Sequence, residues 1–463
     1  MKKKLLNVIL SISLLFTMIS IKSFDVFADG HPSHDGVDSW TEFTTTLPTN
    51  PGNYYLANDI TLSGTWIVPS GTTNLCLNGH VINADGGNFC VITIPSGATL
   101  NLYDCNSATS HAGYVDANSL WHLGTGAGTS KSISGGIITG SISRGVSVTG
   151  TFNMHGGTIA GNMMSGHGGG IYIAGGGQVN MTNGTIENNY CTVSGGALQI
   201  DGTFNMSGGT IQNNKANNDG GAISDNGILK LTGTAKIINN IAVTGKGGGV
   251  NYYGNINTVT IGNKVQIVDN EATNNTNNFH IFYDSRYISL GAGENAPEDG
   301  MSVGITINTN PTLGTQSTFT TNGTENDVDY FFSSNLDYVI DYDSGHLVLL
   351  NPTAVALNST KRQSFSKLDD AVALASIGDV IKLYQNNNTE NIILPDGVIL
   401  YTKSNYQGTV STNISGKVIV RQDGVGDYQW KFSVADAPVV DNPTSSSDHV
   451  VLDTGVRNIS INN

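Results

Sequence analysis

One phrase, written five times between Thr151 and Asn270, restricts this chain to a repeat architecture. Phe152-Asn-Met-His-Gly-Gly-Thr-Ile159 returns as Val179-Asn-Met-Thr-Asn-Gly-Thr-Ile186 and Phe204-Asn-Met-Ser-Gly-Gly-Thr-Ile211. Looser copies span Leu229 to Ile237 and Val259 to Ile267. Three residues after each closing isoleucine stands an asparagine: Asn162, Asn189, Asn214, Asn240 and Asn270, spaced 27, 25, 26 and 30 apart. Glycine pairs keep the same rhythm at Gly169-Gly170, Gly195-Gly196, Gly220-Gly221 and Gly248-Gly249, each leading into a short apolar run.

Within a copy the apolar residues alternate, as Phe152 and Met154 do around Asn153, so each segment is a strand with one inward face. The segments are short, β-branched and broken by glycine, which excludes a helix. Equivalent residues recur at a near-constant offset, which stacks like on like in parallel. The expected fold class is all-β, a right-handed parallel β-helix (solenoid), followed by a short C-terminal β-rich module carrying one capping helix. Five rungs would give a segment about 24 Å long at the spacing of strands in a sheet. The asparagines suit sharp left-handed corners and amide stacking between rungs, and the glycines suit positive φ. Ile67-Val-Pro-Ser-Gly71 is echoed by Ile92-Thr-Ile-Pro-Ser-Gly97, with Pro69 and Pro95 already 26 apart, so the solenoid begins before residue 70. Trp40, Tyr54, Tyr55 and Trp66 gather at this end, as a cap over the first open rung or as an aromatic platform for sugar rings.

Residues 1–28 read as an export signal: Lys2, Lys3 and Lys4 precede the apolar run Leu5 to Ile21, and Val26-Phe-Ala28 offers a cleavage site. The expected location is therefore secreted or cell surface, with no membrane span in the mature chain. Four lysines and one aspartate leave with the signal, taking a net +3 from −15 and leaving −18, which argues against nucleic acid as a partner. Residues 29–38 read as a flexible tail. Cleavage after Ala28 would place His31 third, where the free amine, two backbone amides and the imidazole can close a square-planar Cu(II) or Ni(II) site. A polar tail carrying His31 and His34 by chance is the other reading. There is no Cys-x-x-Cys and no His/Cys cluster at metal-ligand spacing, so no other metal site and no cofactor is expected. Cys76, Cys90 and Cys105, 14 and 15 apart, read as small buried hydrophobes or as partners in a bridge whose pairing spacing does not fix.

The solenoid is expected over 39–300, with 113–150 as an irregular passage around Trp121-His122 and Asn274 to Asn278 as a loop. Residues 301–352 form its β-rich C-terminal part, where Asp341-Tyr-Asp-Ser-Gly345 reads as a solvated turn rather than a calcium loop. Over 353–435 a helix opened by Ser366 and Asp369 and ended by Gly378 leads into short strands, and 436–463 reads as a polar tail.

Gly-Asn-Tyr-Tyr-Leu at 52–56, Leu75-Cys-Leu-Asn-Gly-His80, Gly97 to Cys105 and the repeated Phe-Asn-Met phrase together resemble exported β-helix repeat proteins of Gram-positive bacteria, over residues 39–350. The Gly-Gly-Ala-Leu and Gly-Gly-Ala-Ile phrases at 195 and 220 are also similar to repeats of polymorphic outer-membrane adhesins, with Ile-x-x-Asn here in place of Phe-x-x-Asn. The resemblance implies a pectin-lyase-like fold and a surface location, and carries over no catalytic residue.

Two function classes fit. The first is a non-catalytic adhesin or glycan-binding rod, with extracellular glycans or a host surface as partner; nothing in the repeats sets an oligomeric state. The second is a polysaccharide lyase or glycoside hydrolase working in a β-helix groove, which needs carboxylates facing one cleft. Asp201, Asp225 and Asp219 are the catalytic candidates for an enzyme, and Tyr172, Asp201, Asp225, Tyr252 and Tyr253 the binding candidates, with Arg144 and Lys230 as the nearby basic groups.

Overall fold

The computed structural model describes residues 31–351 apart from 35, 38, 256–257, 274, 313–314 and 336–337, and beyond 351 a set of separate short segments. The signal-like residues 1–28, Ser366 and most of 436–463 lie outside the described residues. Among the described residues no helix is long and apolar enough to cross a membrane.

The core of the molecule is a parallel β-solenoid. One coil runs Thr203–Met206, Thr210–Gln212, Lys215–Ala216 and Ile223–Asp225, and each strand pairs in parallel with its counterpart one repeat on. The sheet built on the Phe-Asn-Met strands has ten members, from Thr41–Phe43 to Ile288–Leu290, twice the five rungs legible as a repeated phrase. Nine steps of strand spacing make this sheet about 43 Å long. Inward positions form continuous columns, such as Phe152, Val179, Phe204, Leu229 and Val259, which belong to one buried apolar cluster.

Two residues per coil make the corners. The asparagine column is the buried amide ladder that the sequence suggests: Asn162, Asn189, Asn214, Asn240 and Asn270 each donate Nδ2 to the next member's Oδ1 at 2.9–3.1 Å, Asn270 donating to Asn278. The left-handed corner, however, belongs to the preceding residue, Gly161, Asn188, Asn213, Asn239 or Asp269, with φ between 50° and 65°. A buried amide cannot both turn the chain and aim its side chain into the stack, so adjacent residues divide the two tasks. The glycine turn is likewise shifted: φ is positive at Gly220, whereas Gly221 is needed for space. A Cβ on Gly221 would lie 2.4 Å from the Gly248 carbonyl oxygen and 2.5–2.6 Å from the Ile241 backbone. Gly221→Ala is therefore expected to cost about 1–3 kcal/mol, read as a lower urea midpoint, because only backbone can give way.

Outside the core, a second amide ladder runs along the first sheet through Asn53, Asn74, Asn101, Asn153, Asn180 and Asn205, with 2.5–2.8 Å spacings. The passage after Tyr103 leaves the solenoid as antiparallel pairs, Gly113–Val115 with Trp121–Leu123 and with Thr129–Ser130, and pins buried Trp121 against Val81, Ile133, Ile137 and Ala160. The coil resumes at Ile137–Thr139, and Thr151–Met154 pairs directly with Ala98–Tyr103. At the far end Ser302–Ile307 and Phe331–Ser333 continue the parallel sheet, and the hairpin Val339–Asp343 with His346–Leu350 follows. Its turn holds Ser344 and Gly345 at positive φ, which gives Asp341-Tyr-Asp-Ser-Gly345 a hairpin role.

Beyond 351 the helix is Leu368–Ala373, and Val380–Leu383, Ile399–Thr402 and Val418–Gln422 stack in parallel. The expected polar tail instead contains His449–Leu452 and Gly455–Ile461, which pair antiparallel with Val418–Gln422 and Gly408–Ile414.

Candidate functional site

The sheet that follows the glycine turns sends alternate side chains outward. Ser147, Tyr172, Gln199, Ser224, Asn251 and His280 stand in one register column across six coils. The row is polar throughout, yet Gln199, Ser224, Asn251 and His280 are buried. Gln199 Oε1, Asn251 Oδ1 and His280 Nε2 lie buried without a hydrogen-bond partner among the described residues, and the Asn251 amide faces the Tyr253 phenol. Burial pushes the His280 imidazole down to about 3, so it is neutral, with Nδ1 3.1 Å from Thr306 Oγ1. Unsatisfied buried amides are rare because each costs about 1–3 kcal/mol.

Aromatic and carboxylate groups edge this row. Tyr172 Oη donates to Asp201 Oδ2 at 2.8 Å, Gln199 Nε2 to Asp201 Oδ1 at 3.0 Å, and the Arg144 guanidinium sits 4.7 Å above the Tyr172 ring. The hydrogen bond to Asp201 raises the Tyr172 phenol. Tyr253 Oη donates to Asp219 Oδ2 at 2.5 Å and its ring lies 4.4 Å from Phe282; burial, then Asp219, raises this phenol too.

The sequence candidates thus divide. Tyr172, Asp201, Asp219 and Tyr253 border the outward row. Asp225 and Tyr252 do not: they continue the inward column Ile173, Ile200, Asp225, Tyr252, Ile281, and both are 0% exposed. The reason is one residue of register. Asp201 and Asp225 are 24 apart where the coil offset is 25, and a shift of one in a strand turns a side chain to the other face. Lys230 stands opposite Asn205 on the other sheet, away from this row. Both Asp201 oxygens are engaged, as are those of Asp219, whose Oδ1 accepts from the Lys246 amide at 2.7 Å. No pair from Asp201, Asp219 and Asp225 is presented unengaged to one cleft.

A second cluster lies at the N-terminal end, where His31 and His34 lie over the first sheet. Outward positions there are Tyr55, Cys76 and Tyr103, in register. His31, only 2% exposed, stacks on Tyr55 at 4.5 Å, and His34 stacks on Tyr103 at 4.8 Å. Trp40 is buried with Cys76 and Tyr103, and meets both imidazoles at 5.0–5.1 Å. Cys76 Sγ is 3.4 Å from Cys105 Sγ, and Cys105 Sγ is 3.5 Å from His31 Nε2. The hydrogen bond from Cys76 lowers the Cys105 thiol, and the same bond together with burial raises the Cys76 thiol. All four cysteines are free thiols. Cys90 Sγ donates to the Ile92 carbonyl at 3.0 Å, and burial raises Cys191 to about 12.

Spacing within the chain hides this cluster, since its members come from 31–34, 76 and 105. The signal that could have found it is the solenoid period itself, which lays Tyr55, Cys76 and Tyr103 on one line beneath the His-Pro-Ser-His segment. Likewise, the buried polar row is visible in sequence only once the register is fixed. No family model, curated protein or solved structure matches the chain.

Proposed function

We propose that this chain is a non-catalytic, secreted or cell-surface β-helix protein that binds an extended glycan along the face edged by Tyr172, Asp201, Asp219 and Tyr253. The observation that carries the reading is the partly exposed line of Tyr172, Asp201, Asp219, Tyr253 and Phe282, which sets carboxylates beside aromatic rings along one face of the solenoid. Sugars present hydroxyls that pair with amides and carboxylates, and apolar ring faces that pack on aromatic rings. A row repeating at one strand spacing per coil suits a polymer better than a compact ligand. The export-signal sequence, the acidic charge and the resemblance to exported β-helix repeat proteins support the location.

A glycan array probed with the exported chain, beside reducing-end and unsaturated-product assays on the same polysaccharides, tests this. Binding without product is expected, and Tyr253→Phe and Tyr172→Phe should each weaken it about tenfold, the worth of one or two hydrogen bonds. Release of product above a heat-killed control would overturn the reading in favour of a polysaccharide-cleaving enzyme. Binding left intact by both variants would move the site elsewhere on the rod.

A further inference from the structure

We propose that His31, His34, Cys76 and Cys105 form a Cys2His2 site for a zinc-class divalent ion that fastens the N-terminal segment to the outside of the first rungs. One ligand atom from each of the four residues lies within 4.8 Å of all the others. Tetrahedral zinc, with bonds of about 2.3 Å to sulfur and 2.0–2.1 Å to nitrogen, requires ligand-to-ligand edges of about 3.8 Å between sulfurs and 3.5 Å from sulfur to nitrogen. The observed edges are 3.4 Å and 3.5 Å. An ion would part the two sulfurs by about 0.4 Å and draw in the longer edges, all of which are within 4.8 Å.

The surroundings have the features of a metal shell. The Asn78 and Cys105 backbone amides donate to Cys76 sulfur, while Cys105 Sγ donates to Asn78 Oδ1 at 3.4 Å. The backbone donors stabilise a thiolate at Cys76 and fix its direction. Tyr55, Tyr103 and Trp40 set both ring planes and exclude water from one side. The imidazoles of His31 and His34 both engage the Cys105 sulfur. Two thiolates with two imidazoles is a donor set of zinc, and differs from the square-planar amino-terminal copper site that the sequence suggested for His31. Residues 29–30, which that site would need, lie outside the described residues.

The site would hold His31 and His34 against the sheet. Thr41–Phe43 forms the last strand of the first sheet, and an ion joining His31 and His34 to Cys76 and Cys105 ties the preceding segment across two further rungs. An end strand held in this way is shielded from pairing with another chain.

The test is metal stoichiometry on the full chain, with cobalt as the spectroscopic probe. One equivalent of zinc per chain is expected by elemental analysis. One equivalent of Co(II) should give the intense visible bands of a tetrahedral ion together with thiolate-to-metal charge transfer. Cys76→Ser, Cys105→Ser and His34→Ala should each weaken zinc binding by about tenfold or more. Cys90→Ser, outside the cluster, should leave it unchanged; its circular dichroism and that of His34→Ala serve as the folding reference. A Cys76–Cys105 disulfide that persists in the isolated chain, reduced protein that takes up no cobalt, or cobalt bound with octahedral bands and no charge transfer would each overturn the proposal.

Discussion

Asn214→Leu is expected to destabilise the solenoid by about 3–6 kcal/mol, far more than the loss of any asparagine on the rod's outer face. Asn214 Nδ2 donates to the Ile186 and Gln212 carbonyls at 2.9 Å and to Asn240 Oδ1 at 3.0 Å. Its Oδ1 accepts from the Asn189 amide and from Asn189 Nδ2, both at 3.0 Å. Leucine is close in volume but leaves the Asn189 amide and the Ile186 carbonyl without these bonds where water does not reach, at about 1–3 kcal/mol each, and cuts the ladder in two. Asn180 is the control. It donates to Asn153 and accepts from Asn205 at 2.7–2.8 Å, but it is only half-buried and water can replace both partners. Asn180→Ala should cost about 1 kcal/mol or less. Urea unfolding midpoints of both variants decide the matter, and equal losses would show that the inner ladder carries no special weight.

The contrast between the two ladders also marks how far the sequence could be read. A constant offset between repeated phrases fixes parallel stacking, because it sets which residues lie above one another whatever the details of the corner. The offset is blunt to single residues, however. Asn162 and Gly161, or Asp201 and Asp225, differ by one position relative to the repeat, and one position decides whether a side chain turns the chain, stacks inside it or faces solvent. The candidate row was therefore half legible. Tyr172, Asp201 and Tyr253 were found as chemically interesting residues, whereas Gln199, Asn251 and His280 looked like ordinary strand residues until register showed them buried together. The Cys76 and Cys105 pair was invisible to spacing rules because those rules assume ligands on one short loop. In a solenoid the short distance runs between coils, so ligands about one coil apart are neighbours. The early rungs were under-read for a related reason: strands such as Gly71–Cys76 and Ala98–Tyr103 keep the inward alternation but not the wording of the later phrase.

Asp225→Asn is expected to flatten the pH dependence of stability and to make the protein more stable above pH 7. Asp225 occupies a column otherwise filled by Ile173, Ile200, Tyr252 and Ile281, and burial, the largest cause, pushes its carboxyl up to about 7. The Gly227 amide, donating to Oδ1 at 3.0 Å, opposes the shift, and the charge of Asp201 adds to it. Oδ2 is buried without a partner. The nearby titratable groups are Asp201, Tyr252 and, acting on Tyr252, Arg286. In the unfolded chain this carboxyl loses its proton near 4. Between about pH 4 and 7 the folded state therefore holds a proton that the unfolded state has released, so stability falls as pH rises through that window and stays lowered above it. Three units correspond to about 4 kcal/mol. Asparagine keeps the acceptor for Gly227 but brings a buried amide donor, at a constant cost of about 1–3 kcal/mol. The two stability curves should accordingly cross: wild type ahead at pH 4, the variant ahead at pH 8. Urea midpoints measured across this range on both proteins isolate the single carboxyl, because all other titrations are common to both. Parallel curves would mean that Asp225 is ionised when folded and that its column admits water.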